Sequence, residues 1–102
     1  RIGSEQLPAP LPDGLPTAAA GRYKDERGDE IVVAADGGFA RFELRWSPAE
    51  GGPVTRACLG VDSDGRTVIY EWMAVTPVTL QRAESGKVER ITLSDREFRR
   101  VR

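Results

Sequence analysis

The sequence predicts an all-β domain, a small antiparallel up-and-down barrel of about eight short strands. Three observations carry the prediction. From Gly21 onward, turn-forming clusters recur at intervals of roughly 9 to 14 residues, the rhythm of a meander. Between them apolar and polar residues alternate with the period of two of a half-buried strand. The intervals leave no room for crossover helices, so parallel pairing is not expected. A two-sheet β-sandwich is the alternative arrangement of the same strands.

The first stretch stands apart. Pro8, Pro10, Pro12 and Pro16, with Gly3 and Gly14, occupy residues 1–17. Each proline lacks a backbone donor and restricts the residue before it, which opposes both helix and central strand. Leu7, Leu11 and Leu15 recur every four residues, but the prolines argue against the helix that this spacing would suit. Residues 1–17 therefore read as an extended tether, or as an arm that docks in a partner's cleft. Residues 18–102 read as the barrel domain.

Arg22 to Lys24 is the first expected strand. Glu30 to Ala35 pairs with the next through Asp36-Gly37-Gly38, residues that tolerate a tight hairpin turn. The clearest strand is Phe39 to Trp46, with Ala40, Phe42, Leu44 and Trp46 on one face and Arg41, Glu43 and Arg45 on the other. Ala57, Leu59 and Val61 alternate after the Pro48–Pro53 turn. Val68, Tyr70 and Trp72 do so after Asp64-Gly65, and Val78 and Leu80 after Pro77. In Lys87 to Leu93, Val88 falls out of phase with Ile91 and Leu93. In Arg96 to Arg102, Phe98 falls out of phase with Val101. A bulge would explain each.

Composition excludes several kinds of chemistry. The chain has 102 residues, 39% hydrophobic and 30% charged, enough for one modest core. Its 15 basic and 16 acidic residues leave a net charge of -1, which argues against nucleic acid as a partner. There is no histidine, so the commonest general base and metal ligand is missing. The single Cys58 can form no internal disulfide and lacks a histidine to activate it; Arg56 is its strand neighbour. No Gly-x-Ser-x-Gly turn or phosphate-binding glycine loop occurs. Asp62-Ser63-Asp64-Gly65 has the residues of a hairpin turn rather than a calcium loop, which would need a third acidic position and a distal glutamate. Glu43, Glu71 and Glu89 show no sign of converging. No enzyme activity, cofactor or metal is expected.

Two features remain as binding candidates. Phe42, Trp46, Tyr70 and Trp72 fall on the expected inner faces, as core or as a ligand-contacting set, with Ala40, Ala57 and Gly60 hinting at space. Acidic residues gather at Asp25, Glu26, Asp29, Glu30 and Asp36, and basic ones at Arg90, Arg96, Arg99, Arg100 and Arg102. In a closed meander these stretches meet, as paired surface charge or as a basic patch for an anionic partner. Trp46, Tyr70, Trp72, Arg99 and Arg100 are the candidate binding residues.

Gly21-Arg22-Tyr23, Gly28 to Val33, Asp36 to Phe39 and the terminal Phe98-Arg99-Arg100-Val101-Arg102 together resemble lipocalin-like bacterial barrels. The resemblance implies a secreted, periplasmic or outer-membrane-anchored protein, with a membrane tether upstream of residue 1. It also implies that Tyr23 lies under Arg99 or Arg100 at a closed end. Leu15-Pro16-Thr17-Ala18-Ala19 is similar to the leading segment of bacterial metalloprotease-inhibitor barrels, in which an N-terminal arm fills the protease cleft. Those inhibitors carry a disulfide that Cys58 alone cannot form, and Tyr23 stands where a tryptophan is usual. The expected function is non-catalytic binding of a protein partner, with protease inhibition or binding of a small apolar ligand as alternatives.

Overall fold

The computed structural model describes residues 9–71 and 75–101. After a short helix, α1 (Leu15–Ala19), come eight strands: β1 (Gly21–Lys24), β2 (Glu30–Asp36), β3 (Phe39–Arg45), β4 (Val54–Val61), β5 (Thr67–Tyr70), β6 (Val75–Arg82), β7 (Val88–Leu93) and β8 (Arg96–Arg100). Every strand pairs antiparallel with its neighbour in sequence, and β1 closes on β8 through Tyr23↔Arg100 and Lys24↔Arg99. The result is one closed barrel, not a sandwich. Closure removes the exposed edges that an eight-strand meander would otherwise present.

The inner face follows the ladder register. Tyr23 sits opposite Ile31, Ile31 opposite Leu44, Phe42 opposite Ala57, and Leu59 opposite Ile69. Ile91 sits opposite Phe98. All of these except Ala57, which packs partly buried against the cluster, belong to one buried core. The alternation of β3 holds as expected: Ala40, Phe42 and Leu44 are buried and Trp46 packs against them.

The out-of-phase Val88 has the expected cause. The β6–β7 register runs Gln81↔Arg90 then Arg82↔Val88, so Glu89 is an extra residue on β7. That bulge lets Val88 and Ile91, three apart, both reach 0% exposure. Val101 needs no bulge. It lies beyond β8, is exposed, and donates its N–H to the Arg22 carbonyl.

Two expectations are corrected. In β5 the inward residue is Ile69, paired with Leu59, whereas Tyr70 pairs with the exposed Cys58 on the outer face. Val68 shares that outward phase; it is buried yet stands apart from the core cluster. Three consecutive apolar residues, Val68-Ile69-Tyr70, fit either phase, and only pairing chooses between them. Trp72 lies outside the described residues.

The second correction concerns the tether. Residues 9–17 are folded onto the barrel: Leu11, Leu15 and Pro16 are buried, as is Ala19 just beyond them. The prolines allow this because of their spacing. With Pro8, Pro10 and Pro12 lacking donors, Ala9 and Leu11 supply the intervening N–H groups. Ala9 exchanges two hydrogen bonds with Val61, at 2.7 and 2.9 Å, and Leu11 donates to the Gly38 carbonyl at 2.7 Å. Prolines tolerated on an edge segment behave in this way. A Cβ at Gly38 would come within 2.9 Å of Pro10, so the bare glycine lets the arm pass.

Helix α1 then begins at Gly14, whose φ of 83° lies in the left-handed region. Pro16 sits in its first turn, where a missing N–H breaks no intrahelical bond. Five residues make a helix too short to stand alone, and burial of Leu15 and Ala19 holds it in place.

Candidate functional site

An arginine stands across each end of the barrel, and both come from β8. Phe98 points inward, so alternation turns Arg96 and Arg100, two residues to either side, inward as well.

At the end covered by α1, the Arg100 guanidinium lies 5.0 Å from the centre of the Tyr23 ring. Its Nε donates to the Val88 carbonyl at 2.6 Å, Nη1 to Ala20 at 3.0 Å and Nη2 to Ala18 at 3.0 Å. Nη2 also donates to the Tyr23 hydroxyl at 2.9 Å, which in turn donates to the Ala19 carbonyl at 2.6 Å. Arg100 thus ties the carboxyl end of α1 to β7 and β1. Gly21 admits it: a Cβ there would collide with Nη1, and its φ is +147°. Burial pushes the Tyr23 hydroxyl up to about 12, partly opposed by the nearby Arg100 charge.

At the opposite end Arg96 sits between the rings of Trp46 and Phe98, 5.4 and 5.0 Å from their centres. It pairs with Asp25, and with Asp29 at 2.6 Å. Asp29 also accepts the Ser47 N–H at 2.8 Å, and Asp25 accepts the N–H groups of Arg27 and Asp29 at 3.0 Å. The Ser47 N–H, then Arg96, hold the Asp29 carboxyl below the usual carboxylate range. Trp46 donates its indole N–H to Thr55 Oγ1 at 3.1 Å. The expected meeting of the acidic β1–β2 stretch with C-terminal arginines is therefore realised through Arg96. Arg90 and Arg99 turn instead to Glu97.

Among the clefts on the outer surface of the described residues, three bear on binding. One, of about 390 Å³, crosses β3, β4 and β5 and is lined by Arg41, Arg56, Cys58, Tyr70, Glu43 and Glu71. Its position follows from register, because Arg41, Cys58 and Tyr70 are directly paired across three strands. Hydrogen bonding from Arg45 and then Arg56 depresses the Glu43 carboxyl, keeping it ionised. Glu89 lies in a different cleft, so Glu43, Glu71 and Glu89 do not converge. The Asp62–Gly65 segment is a hairpin turn in which Asp62 Oδ1 accepts the Asp64 and Arg66 N–H groups at 2.9 and 2.8 Å.

A second cleft, of about 560 Å³, lies beside Lys24, Arg27, Arg96 and Arg99, but Asp25, Glu26, Asp95 and Glu97 balance its charge. The third, of about 330 Å³, lies over β7 and β8 at the α1 end.

The five sequence candidates are thus dispersed. Trp46 flanks Arg96 at one end, Arg100 closes the other, Tyr70 lines an outer cleft, and Arg99 is 70% exposed on the outer face. Trp72 is outside the described residues. Arg96 as an inward group went unrecognised in the sequence, although the Arg96-Phe98-Arg100 alternation carries the signal. Compared with family models, curated proteins and solved structures, the chain finds no match.

Proposed function

We propose that this barrel is a non-catalytic binding domain of the bacterial cell envelope that recognises a protein partner through its outer surface. The observation that carries this reading is the pair of arginines at the barrel ends. Arg100 is tied to α1 and Arg96 is salt-bridged between two aromatic rings, which leaves binding to the outside. The outer cleft around Tyr70 offers an aromatic edge, an exposed thiol and two guanidinium groups, a mixture suited to protein surfaces.

The packing of Arg100 on Tyr23 supports the lipocalin-like resemblance, because it is the contact that the resemblance implied. The protease-inhibitor alternative draws less support. Leu15 and Ala19, within the segment similar to an inhibitory arm, are engaged in the chain's own core. An envelope location, with an anchor or as a secreted form, rests on the resemblance.

Photo-crosslinking residues at Arg41, Tyr70 and Cys58, in cells that make the protein, test the proposal. One discrete protein adduct, competed by the unlabelled domain, is expected. Saturable stoichiometric uptake of a long-chain fatty acid, with no adduct from any outer position, would favour an internal ligand and overturn it.

A further inference from the structure

The cleft over β7 and β8 gathers more cations than anions. Lys87, Arg90, Arg99 and Arg100 line it, with Glu89 the one carboxylate among the lining residues and Ser85 beside them. The whole chain is close to neutral, at a net -1, so this concentration is a product of folding rather than composition.

We propose that this cleft binds a phosphate-type oxyanion, free or as a phosphate ester. Arg100 supplies the first argument. All its acceptors are neutral, three backbone carbonyls and the Tyr23 hydroxyl, so its charge has no carboxylate partner among the described residues. Arg90 and Arg99 supply the second. They are directly paired across β7 and β8, and the next residue in that row is Lys24. Like charges directly opposite one another destabilise a sheet. Among the described residues the relief is one shared carboxylate, Glu97, at 3.1 Å from Arg90 and 3.4 Å from Arg99. Arg90 Nε is buried without a hydrogen-bond partner among the described residues, so that guanidinium is under-satisfied.

Lys87, in the same cleft, makes no ion pair among the described residues and adds a compact ammonium. The exposed Arg99 can meet phosphate oxygens through paired N–H donors, while Arg100, whose donors are engaged within the chain, adds charge alone, and an oxyanion here would offset several like charges at once. A volume of about 330 Å³ suits a phosphate with a small substituent.

The test is a titration of the isotope-labelled protein with inorganic phosphate, followed by amide chemical shifts, against chloride at matched ionic strength. Saturable shifts confined to residues 85–90 and 99–100 are expected. Lys87→Glu and Arg99→Glu, both exposed changes, should each weaken binding about tenfold or more, while Arg66→Gln in the β4–β5 turn leaves it unchanged. A second arm measures retention on phosphatidylglycerol vesicles against phosphatidylcholine vesicles. Retention lost in the same two variants would identify a lipid headgroup as the source of the phosphate. No retention, with phosphate still bound, would identify a soluble one. Shifts that chloride reproduces, or that survive both charge reversals, would overturn the proposal, provided that variant-sensitive vesicle retention is also absent.

Discussion

The guanidinium of Arg100 stands 5.0 Å from the centre of the Tyr23 ring and donates to the same residue's hydroxyl at 2.9 Å. The two residues face each other across the β1–β8 seam, the pairing that turns a meander into a closed barrel. Ring stacking and hydrogen bonding by one planar cation therefore act where closure must be secured. A Tyr23→Leu and Arg100→Ala double-mutant cycle should return a coupling of about 0.5–2 kcal/mol in thermal or denaturant unfolding. The same cycle with Arg99→Ala should return none, because Arg99 lies on the outer face. Equal coupling for both arginines would contradict the assigned contact.

The arm makes a separate prediction. Leu15 is buried in the core, so Leu15→Ala should destabilise the whole domain by about 2–5 kcal/mol. Limited proteolysis should likewise spare residues 9–19 for as long as it spares the strands. Early cleavage within 9–19, with the barrel's melting temperature unchanged, would mean that the arm contributes nothing to stability.

In β5 the two neighbouring residues should respond oppositely. Ile69→Ala should cost about 2–4 kcal/mol, since Ile69 packs against the core cluster. Tyr70→Ala should cost less than about 1 kcal/mol, as for most outward substitutions. Denaturant midpoints of the two variants decide the phase, and the reverse order would turn the strand over.

Two ionisable groups set opposite pH limits. The Asp29 carboxyl is depressed by the Ser47 N–H and then by Arg96. Its stabilising contribution is present above its unfolded value of about 3.9 and is lost as pH falls through the lower folded value. Asp29→Asn should therefore flatten the acid limb of a stability-versus-pH curve. The Tyr23 hydroxyl is raised to about 12 by burial. Its contribution is complete below about 10, the unfolded value, and declines as pH rises toward the folded one. Stability measured from pH 10 upward should fall less steeply in Tyr23→Phe than in the parent.

The sequence by itself determined the strands, their order and much of their facing. Turn residues recur often enough to exclude crossovers, and in Ala40-Arg41-Phe42-Glu43-Leu44 each polar residue forbids the opposite phase. Even a bulge in β7 was implied, because Val88 and Ile91 cannot share a face of a regular strand, although only the ladder register places it at Glu89. Only the tertiary structure decided three things. It chose Ile69 over Tyr70, because an all-apolar run has no polar residue to fix its phase, and pairing with Leu59 supplies the missing constraint. It folded residues 9–19 onto the barrel, because burial of Leu11 and Leu15 outweighs a local preference of proline for extended chain, and alternate residues still carry donors. It also drew Arg96 and Arg100 inward to close the ends. A charged side chain can sit there only where aromatic faces, carboxylates and helix-end carbonyls converge, and the carboxylates and helix-end carbonyls lie about 70 to 80 residues away in the chain.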